Sequence, residues 1–378
     1  MDANRNRGAS VLCVCPTLGA GGAERHWASL LPRLKDHGIR PRVLCLADEG
    51  IYGASLREAG VPVRCLGLHG GRDPIGMARA LRVALSGGVD AILTVGTLPA
   101  AVGRVTARLR GVPHVVNVHR GPGLRLGAAE EKLSRLLAPG TDLVIAVSEC
   151  QVAECTAHGY RRPRIQVIPN GIEAAALRPD RSRAALRPEL DIEPDAFVVL
   201  CVAGLRREKR VELFCEAVDL ARRKDPRIVG VVAGDGPQRE LVEASAGEGV
   251  RILGHRADVA DLFASADACA VPSAVEASSL VVLEAMAAKR PVLATRVGGT
   301  ADLVEDGVTG VLVEPDDVRA LAAALAAIAA DPEAARAMGE AGHQRQQERF
   351  TMARMAHDYG EALTSASPSS LAGPRSGP

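Results

Sequence analysis

Along the first half of the chain, short apolar runs alternate with longer segments in which apolar residues recur every three or four positions. Val11–Cys15, Val43–Leu46, Val63–Leu66, Ala91–Val95, Val115–Val118, Leu143–Val147 and Ile165–Ile168 are short, rich in β-branched residues and flanked by Gly, Pro or Asp, which is the pattern of buried strands. Between them Glu24–His37, Ile75–Leu85 and Ala100–Leu109 have helical spacing. The pattern pauses over Ala174–Pro194, a stretch of Arg, Pro and acidic residues that reads as a linker. It then resumes with Val198–Val202, Ile228–Ala233, Val250–Leu253, Ala268–Val271, Val292–Ala294 and Gly310–Val313, again with helices between. Strand–helix alternation of this kind predicts parallel sheets covered by helices on both faces. The fold class is therefore α/β, with two tandem doubly wound (Rossmann-like) domains facing across a cleft, where ligands meet the carboxyl ends of the strands.

The expected boundaries are 1–175 for the first domain, 176–194 for the linker and 195–349 for the second domain. Pro332–Arg349 and Thr351–Leu363 read as helices. Residues 365–378 are Ser, Pro and Gly with almost no core-forming residue, a disordered tail. No internal repeat is present beyond the α/β alternation.

Composition narrows the classes of function. A chain of 378 residues that is 47% hydrophobic and 24% charged is no disordered protein and suits two domains. A net charge of +1 and 2% aromatic residues argue against nucleic-acid binding by a polycationic surface or by stacked bases. The charge is unevenly spread, however. Residues 1–190 carry 26 Lys+Arg against 16 Asp+Glu, a balance of +10, and the remainder carries −9. A basic first half fits an anionic partner or an acidic membrane face, and a solvated Arg-rich surface accounts for the same numbers.

The nine cysteines form no C-x-x-C pair. Cys13, Cys45, Cys201 and Cys269 sit in apolar runs, where thiols act as small hydrophobes. Disulfides and a zinc site are not expected, and the usage suits a reducing cytoplasm. Arg5 and Arg7 precede an apolar run, but Pro16 and the following glycines cut it short, so Val11–Cys15 reads as a strand rather than a signal peptide. The longest small-apolar run, Ala320–Ala330, has 11 residues, where a spanning helix needs about 20.

Three segments carry candidate chemistry. Thr17–Arg25 is a glycine-rich loop between the first strand and a helix, where backbone amides of Gly21 and Gly22 can approach a phosphate. It is not the dinucleotide fingerprint, because Glu24 stands where glycine is required, and no Gly-Lys-Ser/Thr makes it a P-loop. A tight turn is an equally good reading of the loop alone. Cys201–Arg210 places Arg206 and Lys209 just past a strand end, suited to neutralise a leaving phosphate. Pro272–Ala287 places Glu276 in a loop, with Ser278 or Ser279 capping a helix from Leu280 and Glu284 about a turn and a half into it. Carboxylates hold sugar hydroxyls well because each accepts several hydrogen bonds. A capped amphipathic helix with one solvated Glu explains the same spacing.

Taken in order, these segments resemble glycosyltransferase family 4, retaining enzymes of the GT-B fold. The resemblance rests on Gly21-Gly-Ala-Glu-Arg25, Val147-Ser148, Ile168-Pro-Asn-Gly-Ile172, Ala233-Gly-Asp-Gly-Pro237, Ile252-Leu-Gly254, Pro272-Ser…Glu276-x7-Glu284-Ala-Met-Ala, Pro291-Val-Leu-Ala-Thr and Gly298-Gly299. It spans about Leu12 to Asp316. It implies that Glu276 contacts the donor sugar and Glu284 the ribose, and that Lys209 lies at the donor diphosphate. It further implies that Gly21 and Gly22 face the diphosphate and acceptor, and that His119 is a cleft histidine near the reacting sugar, although His69 and His114 also lie near strand ends. Gly254, Ala277, Ser278, Ser279 and Leu280 complete the donor-binding set. The chain departs from the family twice. Gly204 stands where Arg is frequent, with Arg206 as its substitute from a nearby turn, and Ala277-Ser278-Ser279 replaces a Gly followed by Phe-Gly.

The resemblance implies transfer from a nucleotide-diphosphate sugar, UDP- or GDP-linked, to a hydroxyl acceptor that is anionic or lipid-linked. The pathway is then exopolysaccharide, lipid-linked or other cell-surface glycan synthesis, with decoration of a small natural product as the alternative. No permanently bound cofactor and no metal are expected, in keeping with the lack of Asp-x-Asp, and fixed cations do the work of a metal. The 350–364 helix is expected to cross back to the first domain. The place is cytoplasmic, with peripheral contact at the inner membrane face open to the basic first domain. Rival classes are a nucleotide-sugar 2-epimerase, a non-catalytic sugar-nucleotide-binding subunit and a dehydrogenase, the last disfavoured by the broken glycine fingerprint.

Overall fold

The computed structural model describes residues 8–19, 21–68, 73–118, 132, 135–136 and 138–366. The chain folds as two compact α/β units. One takes the residues up to Asn170 together with those from Met352 onward. The other takes Gly171–Thr351.

The first unit is built on seven strands: β1 (Ala9–Cys15), β2 (Ile39–Cys45), β3 (Val63–Cys65), β4 (Ala91–Val95), β5 (His114–Val118), β6 (Leu143–Ala146) and β7 (Ile165–Val167). They pair in parallel in the order β3-β2-β1-β4-β5-β6-β7. Consecutive strands cannot be joined in parallel by a hairpin, so helices such as Gly22–Arg33 and Thr97–Arg110 make the crossovers. The order reverses between β1 and β4, which makes their carboxyl ends the switch point of the sheet. β2 begins four residues before the apolar run that announced it. Arg40, Pro41 and Arg42 alternate in burial there and hide the strand in the sequence.

The last helix, Met352–Ser365, belongs to this first unit. Met352, Met355, Ala356, Tyr359, Ala362 and Leu363 recur at helical spacing and are buried with Trp27, Leu30, Leu31 and Leu34. Each large side chain so buried contributes about 1.5–3 kcal/mol, which ties the end of the chain to its beginning. The close approach is visible at Gly360, where a Cβ would stand 2.8 Å from His37 Cβ. Of the expected 365–378 tail, residues 367–378 lie outside those described.

The second unit has six strands: β8 (Phe197–Val202), β9 (Ile228–Ala233), β10 (Val250–Ile252), β11 (Ala268–Val271), β12 (Val292–Thr295) and β13 (Gly310–Val313). Their order, β10-β9-β8-β11-β12-β13, is again parallel throughout, with the reversal between β8 and β11.

The expected 176–194 linker needs correction. It carries helix Arg183–Glu189, capped by Ser182 Oγ accepting from the Ala185 amide, and it is part of the second unit. Leu186, Leu190 and Ile192 lie in that unit's core with Val198, Leu200 and Phe263. The chain passes between units at Asn170–Gly171, earlier than expected. Three apolar anchors dispersed among Arg, Pro and acids give too little periodicity to show as an element.

All nine cysteines are free thiols. Burial pushes the Cys13 thiol up to about 12, the behaviour of an inert core residue. His114 is buried in β5, with Nε2 3.0 Å from Thr94 Oγ1. Burial, with Arg104 nearby, holds its imidazole down at about 3. The folded value lies below the unfolded one of about 6.5, so the unfolded chain binds the proton first. The stabilisation from neutral His114 is complete above pH 6.5 and falls as pH drops toward 3, by roughly 2 kcal/mol at pH 5. Melting curves from pH 7 to 4.5 should show a shallower fall in His114→Asn than in wild type. Parallel curves would remove His114 from the acid response.

Candidate active site

The two strands flanking the second switch point, β8 and β11, end beside each other, and the loops beyond them carry the opposing charges. Val202 ends β8. Ala203, Leu205 and Gln238 then tie the following loop to the one after β9, through Ala203 N to Ala233 O at 3.1 Å, Leu205 N to Asp235 O at 2.9 Å and Gln238 N to Leu205 O at 2.9 Å. This stitching needs glycine at positions 234 and 236. Both have φ of +155°, and a Cβ on Gly234 would stand 1.7 Å from Ala203 O. A turn of 3-10 helix, Arg207–Lys209, follows and sets the lysine over the sheet edge.

From β11 the chain runs through Ser273 to Glu276, and Ala274 N donates to Glu208 O at 2.8 Å, joining the two loops directly. Lys209 Nζ then donates to Glu276 Oε1 at 2.7 Å. Ser273 Oγ donates to the same oxygen at 2.9 Å, and Thr295 Oγ1 donates to Ser273 O. The Glu276 carbonyl accepts from Gly299 N at 3.1 Å, so the loop after β12 also holds it. Glu276 is 8% exposed and the Lys209 side chain 20%. The pair therefore sits in a low-dielectric rim, still open at one side. Both of these side-chain hydrogen bonds to the carboxylate fall on Oε1. Oε2 keeps its lone pairs for an incoming hydroxyl, and two of the three ammonium hydrogens of Lys209 remain for an anion.

The helix Leu280–Ala287 opens immediately beyond. Ser279 is its N-cap, its hydroxyl accepting from Val282 N at 3.5 Å. Leu280 is its first residue, and Ser278 and Ser279 are buried with Ala277 beside them in the loop. Glu284 is the fifth residue of this helix and is 2% exposed, buried near the Cys269 thiol, whose pKa is raised chiefly by burial and further by this carboxylate. Gly254 stands just past β10 with φ of +69°, and its carbonyl accepts from Gly234 N at 2.7 Å. At Gly204 a Cβ would lie 3.9 Å from Arg206 Cζ. The Arg206 side chain is 59% exposed, with Nε 3.0 Å from Glu208 Oε1.

The structure thus joins Lys209 to Glu276 directly and brings Gly204, Arg206, Gly254, Ala277, Ser278, Ser279, Leu280 and Glu284 to the same carboxyl edge of one sheet. Gly21 and Gly22 belong to the first unit. Gly21 caps helix Gly22–Arg33 in extended conformation, and its carbonyl accepts from Arg25 N at 3.0 Å. The preceding loop is pinned by Leu18 N to Asp48 O at 3.2 Å and Tyr52 N to Leu18 O at 3.2 Å. His119 and His69 lie outside the described residues. His114 is in the sheet core and carries no site.

Sequence reasoning missed Ser273, which orients Glu276, and Thr300, fully buried with its hydroxyl free of any hydrogen bond among the described residues. The signal for each was position alone. Ser273 follows β11 at three residues before Glu276, and Thr300 follows the Gly298-Gly299 pair. Among the described residues no group of three or more His, Cys, Asp or Glu is placed to hold a metal ion, and no helix is long and apolar enough to cross a membrane.

Residues 20–176 match the family model described as Glycosyltransferase Family 4, and residues 196–331 match the one described as Glycosyl transferases group 1. The D-inositol 3-phosphate glycosyltransferase of Thermobispora bispora is 31% identical over 319 residues, 76% of this chain and 74% of that protein. The protein of the same name from Segniliparus rotundus is 32% identical over 254 residues, 61% of this chain and 56% of its own. The match to this relative spans little more than half of its length. The structure of Anabaena HepE in complex with UDP superimposes with a TM-score of 0.83 at 23% identity, covering 94% of this chain and 100% of that one, a likeness of fold.

Proposed function

Since the chain belongs to glycosyltransferase family 4, we propose that it moves a sugar from a nucleoside-diphosphate sugar to a hydroxyl acceptor with the anomeric configuration retained. The observation that carries this reading is the Lys209–Glu276 pair at the switch point of the second sheet. In the reaction the bond between the anomeric carbon and the phosphate oxygen breaks, a bond to the acceptor oxygen forms, and the acceptor's hydroxyl proton leaves with the diphosphate. Negative charge builds on the leaving diphosphate, and Lys209, Arg206 and the amides at the start of helix Leu280–Ala287 are set to meet it. Glu276 Oε2 takes a sugar hydroxyl and Glu284 the ribose. His119 is assigned to the reacting sugar by resemblance, and the Gly21 and Gly22 amides to an anionic group. Fixed cations serve where a metal otherwise would.

The acceptor we infer is anionic, of the phosphorylated polyol class. The +10 balance of residues 1–190 supports it, as does the inositol phosphate in the names of the relatives. UDP is the first donor nucleotide to test, because the Anabaena protein was solved with it.

Calorimetric titration of UDP, GDP and ADP into wild type and Glu284→Ala tests the site. One nucleotide should bind at micromolar concentration and at least tenfold more weakly to the variant. No binding of any of the three would remove the assigned phosphate and ribose contacts and favour a sugar-nucleotide-independent role.

Arg206 should stand in for the arginine absent at 204, because a Cβ on Gly204 would stand only 3.9 Å from the Arg206 guanidinium carbon. Arg206→Ala is expected to lower kcat/KM tenfold or more, about 1.4 kcal/mol of transition-state stabilisation. Adding Gly204→Arg to that variant should restore most of the loss. An unaffected Arg206→Ala enzyme would remove Arg206 from the diphosphate and leave that role to Lys209.

A further inference from the structure

The second sheet has an opposite edge, and it too carries a cavity. At the amino ends of β8, β11 and β12, residues Phe197, Asp267 and Pro291 line a space of about 370 Å³. That volume falls in the range of small-molecule sites. Five cationic side chains reach its walls: Arg183, Arg227, Lys289, Arg290 and Arg336. Only two carboxylates do, Asp195 and Asp267.

Asp267 does not balance this charge. It already accepts from Arg183 Nη2 at 3.2 Å, from Arg187 Nη2 at 2.8 Å and from the Val198 amide at 2.8 Å. Arg227 is engaged by Asp225 and Lys289 by Glu340. Arg290 differs from these. Its Nε is buried without a hydrogen-bond partner, and burial lowers the pKa of its guanidinium. Arg336 is the fifth residue of helix Pro332–Arg349, is exposed and has no ion-pair partner among the described residues. A part-buried guanidinium with no ion pair among the described residues carries charge that an anion in the cavity would balance.

We propose that this cavity binds the phosphate of a small soluble metabolite, a monoester or a diphosphate, at a site separate from the donor edge. The guanidinium forks of Arg290 and Arg336 match phosphate oxygens in a way a point charge cannot. The apolar wall of Phe197, Pro291 and Ala335 accommodates the carbon part of such a ligand. The site stands independently of the transfer reaction, because none of its residues lies at the carboxyl ends of the strands.

Inorganic pyrophosphate is the probe, titrated calorimetrically into wild type, Lys209→Ala, Arg336→Ala and Arg336→Glu. Lys209→Ala removes the donor-edge cation and should leave one binding event intact. Arg336→Ala should weaken that event at least tenfold and Arg336→Glu should abolish it. Arg336 lies on an exposed helical turn, so neither change threatens the fold, and equal melting temperatures check this. Binding indifferent to Arg336 overturns the proposal, whether or not Lys209 matters, and so does the absence of any binding in Lys209→Ala. Sedimentation with phosphatidylglycerol vesicles separates the two sources of phosphate. Binding to vesicles that Arg336→Glu abolishes would replace the soluble metabolite by a lipid headgroup and overturn that part, and no sedimentation supports it.

Discussion

Glu276→Gln should lower kcat for sugar transfer by 10²-fold or more, the largest functional effect expected of any single substitution in this chain. The change is isosteric, so the side chain keeps its volume and its contact with Ser273. What it loses is charge. Lys209 then faces a neutral amide in place of the carboxylate 2.7 Å away, and the lone pairs of Oε2 are no longer those of an anion. If the pair acts on the transition state, kcat and kcat/KM fall together, while KM stays close to its value. A factor of 10² is about 2.7 kcal/mol of barrier, within reach of one preorganised charged contact. Lys209→Ala should fall by a similar factor. The two residues share one hydrogen bond and one substrate, so the double variant should lose little more than either alone. Rates within threefold of wild type in Glu276→Gln would place the catalytic carboxylate elsewhere. A loss confined to KM would make Glu276 a binding residue only.

The sequence foretold the sheets far better than it foretold the site. Every expected strand is present, because strands of a parallel sheet are buried on both faces and read as unbroken apolar runs between glycines. Val198–Val202 and Ile228–Ala233 could hardly read otherwise. The elements that escaped are those whose burial is intermittent. β2 starts among Arg40, Pro41 and Arg42, and helix Arg183–Glu189 shows one apolar face no wider than Leu186 and its neighbours. The site was legible as residue types but not as geometry. Lys209 and Glu276 lie 67 residues apart, and only the β8–β11 adjacency at the strand-order reversal brings them within a hydrogen bond. Ser273 stood in the Pro272-Ser motif without a role for the same reason, since a serine after a strand has many uses. Arg206 was named as a substitute from its place in the chain, and the nearness of its guanidinium to position 204 supplies a spatial ground for that.

Arg187→Ala should be the most destabilising surface-to-core change outside the active site, lowering stability by about 3–5 kcal/mol. Arg187 is 3% exposed, in a segment whose composition looked like solvent-facing chain. Its guanidinium donates to Ser265 O at 2.9 Å, Ala196 O at 2.8 Å, Pro194 O at 3.0 Å and Asp267 Oδ2 at 2.8 Å. These acceptors come from the loops at the amino ends of β8 and β11, so one side chain joins helix Arg183–Glu189 to both strands. Truncation leaves the buried Ala196 and Ser265 carbonyls without this donor and deprives Asp267 of one of its two arginines, which is why the cost exceeds that of a lost surface ion pair. For a unit of this size the melting temperature should fall by about 10 °C. Arg187→Lys should recover little, because one ammonium cannot span acceptors spread over a planar fork. Calorimetric melting decides the matter. A melting temperature unchanged in Arg187→Ala would mean that residues 176–194 connect the units without supporting either, whereas the expected fall makes the segment a structural part of the unit that carries Lys209 and Glu276.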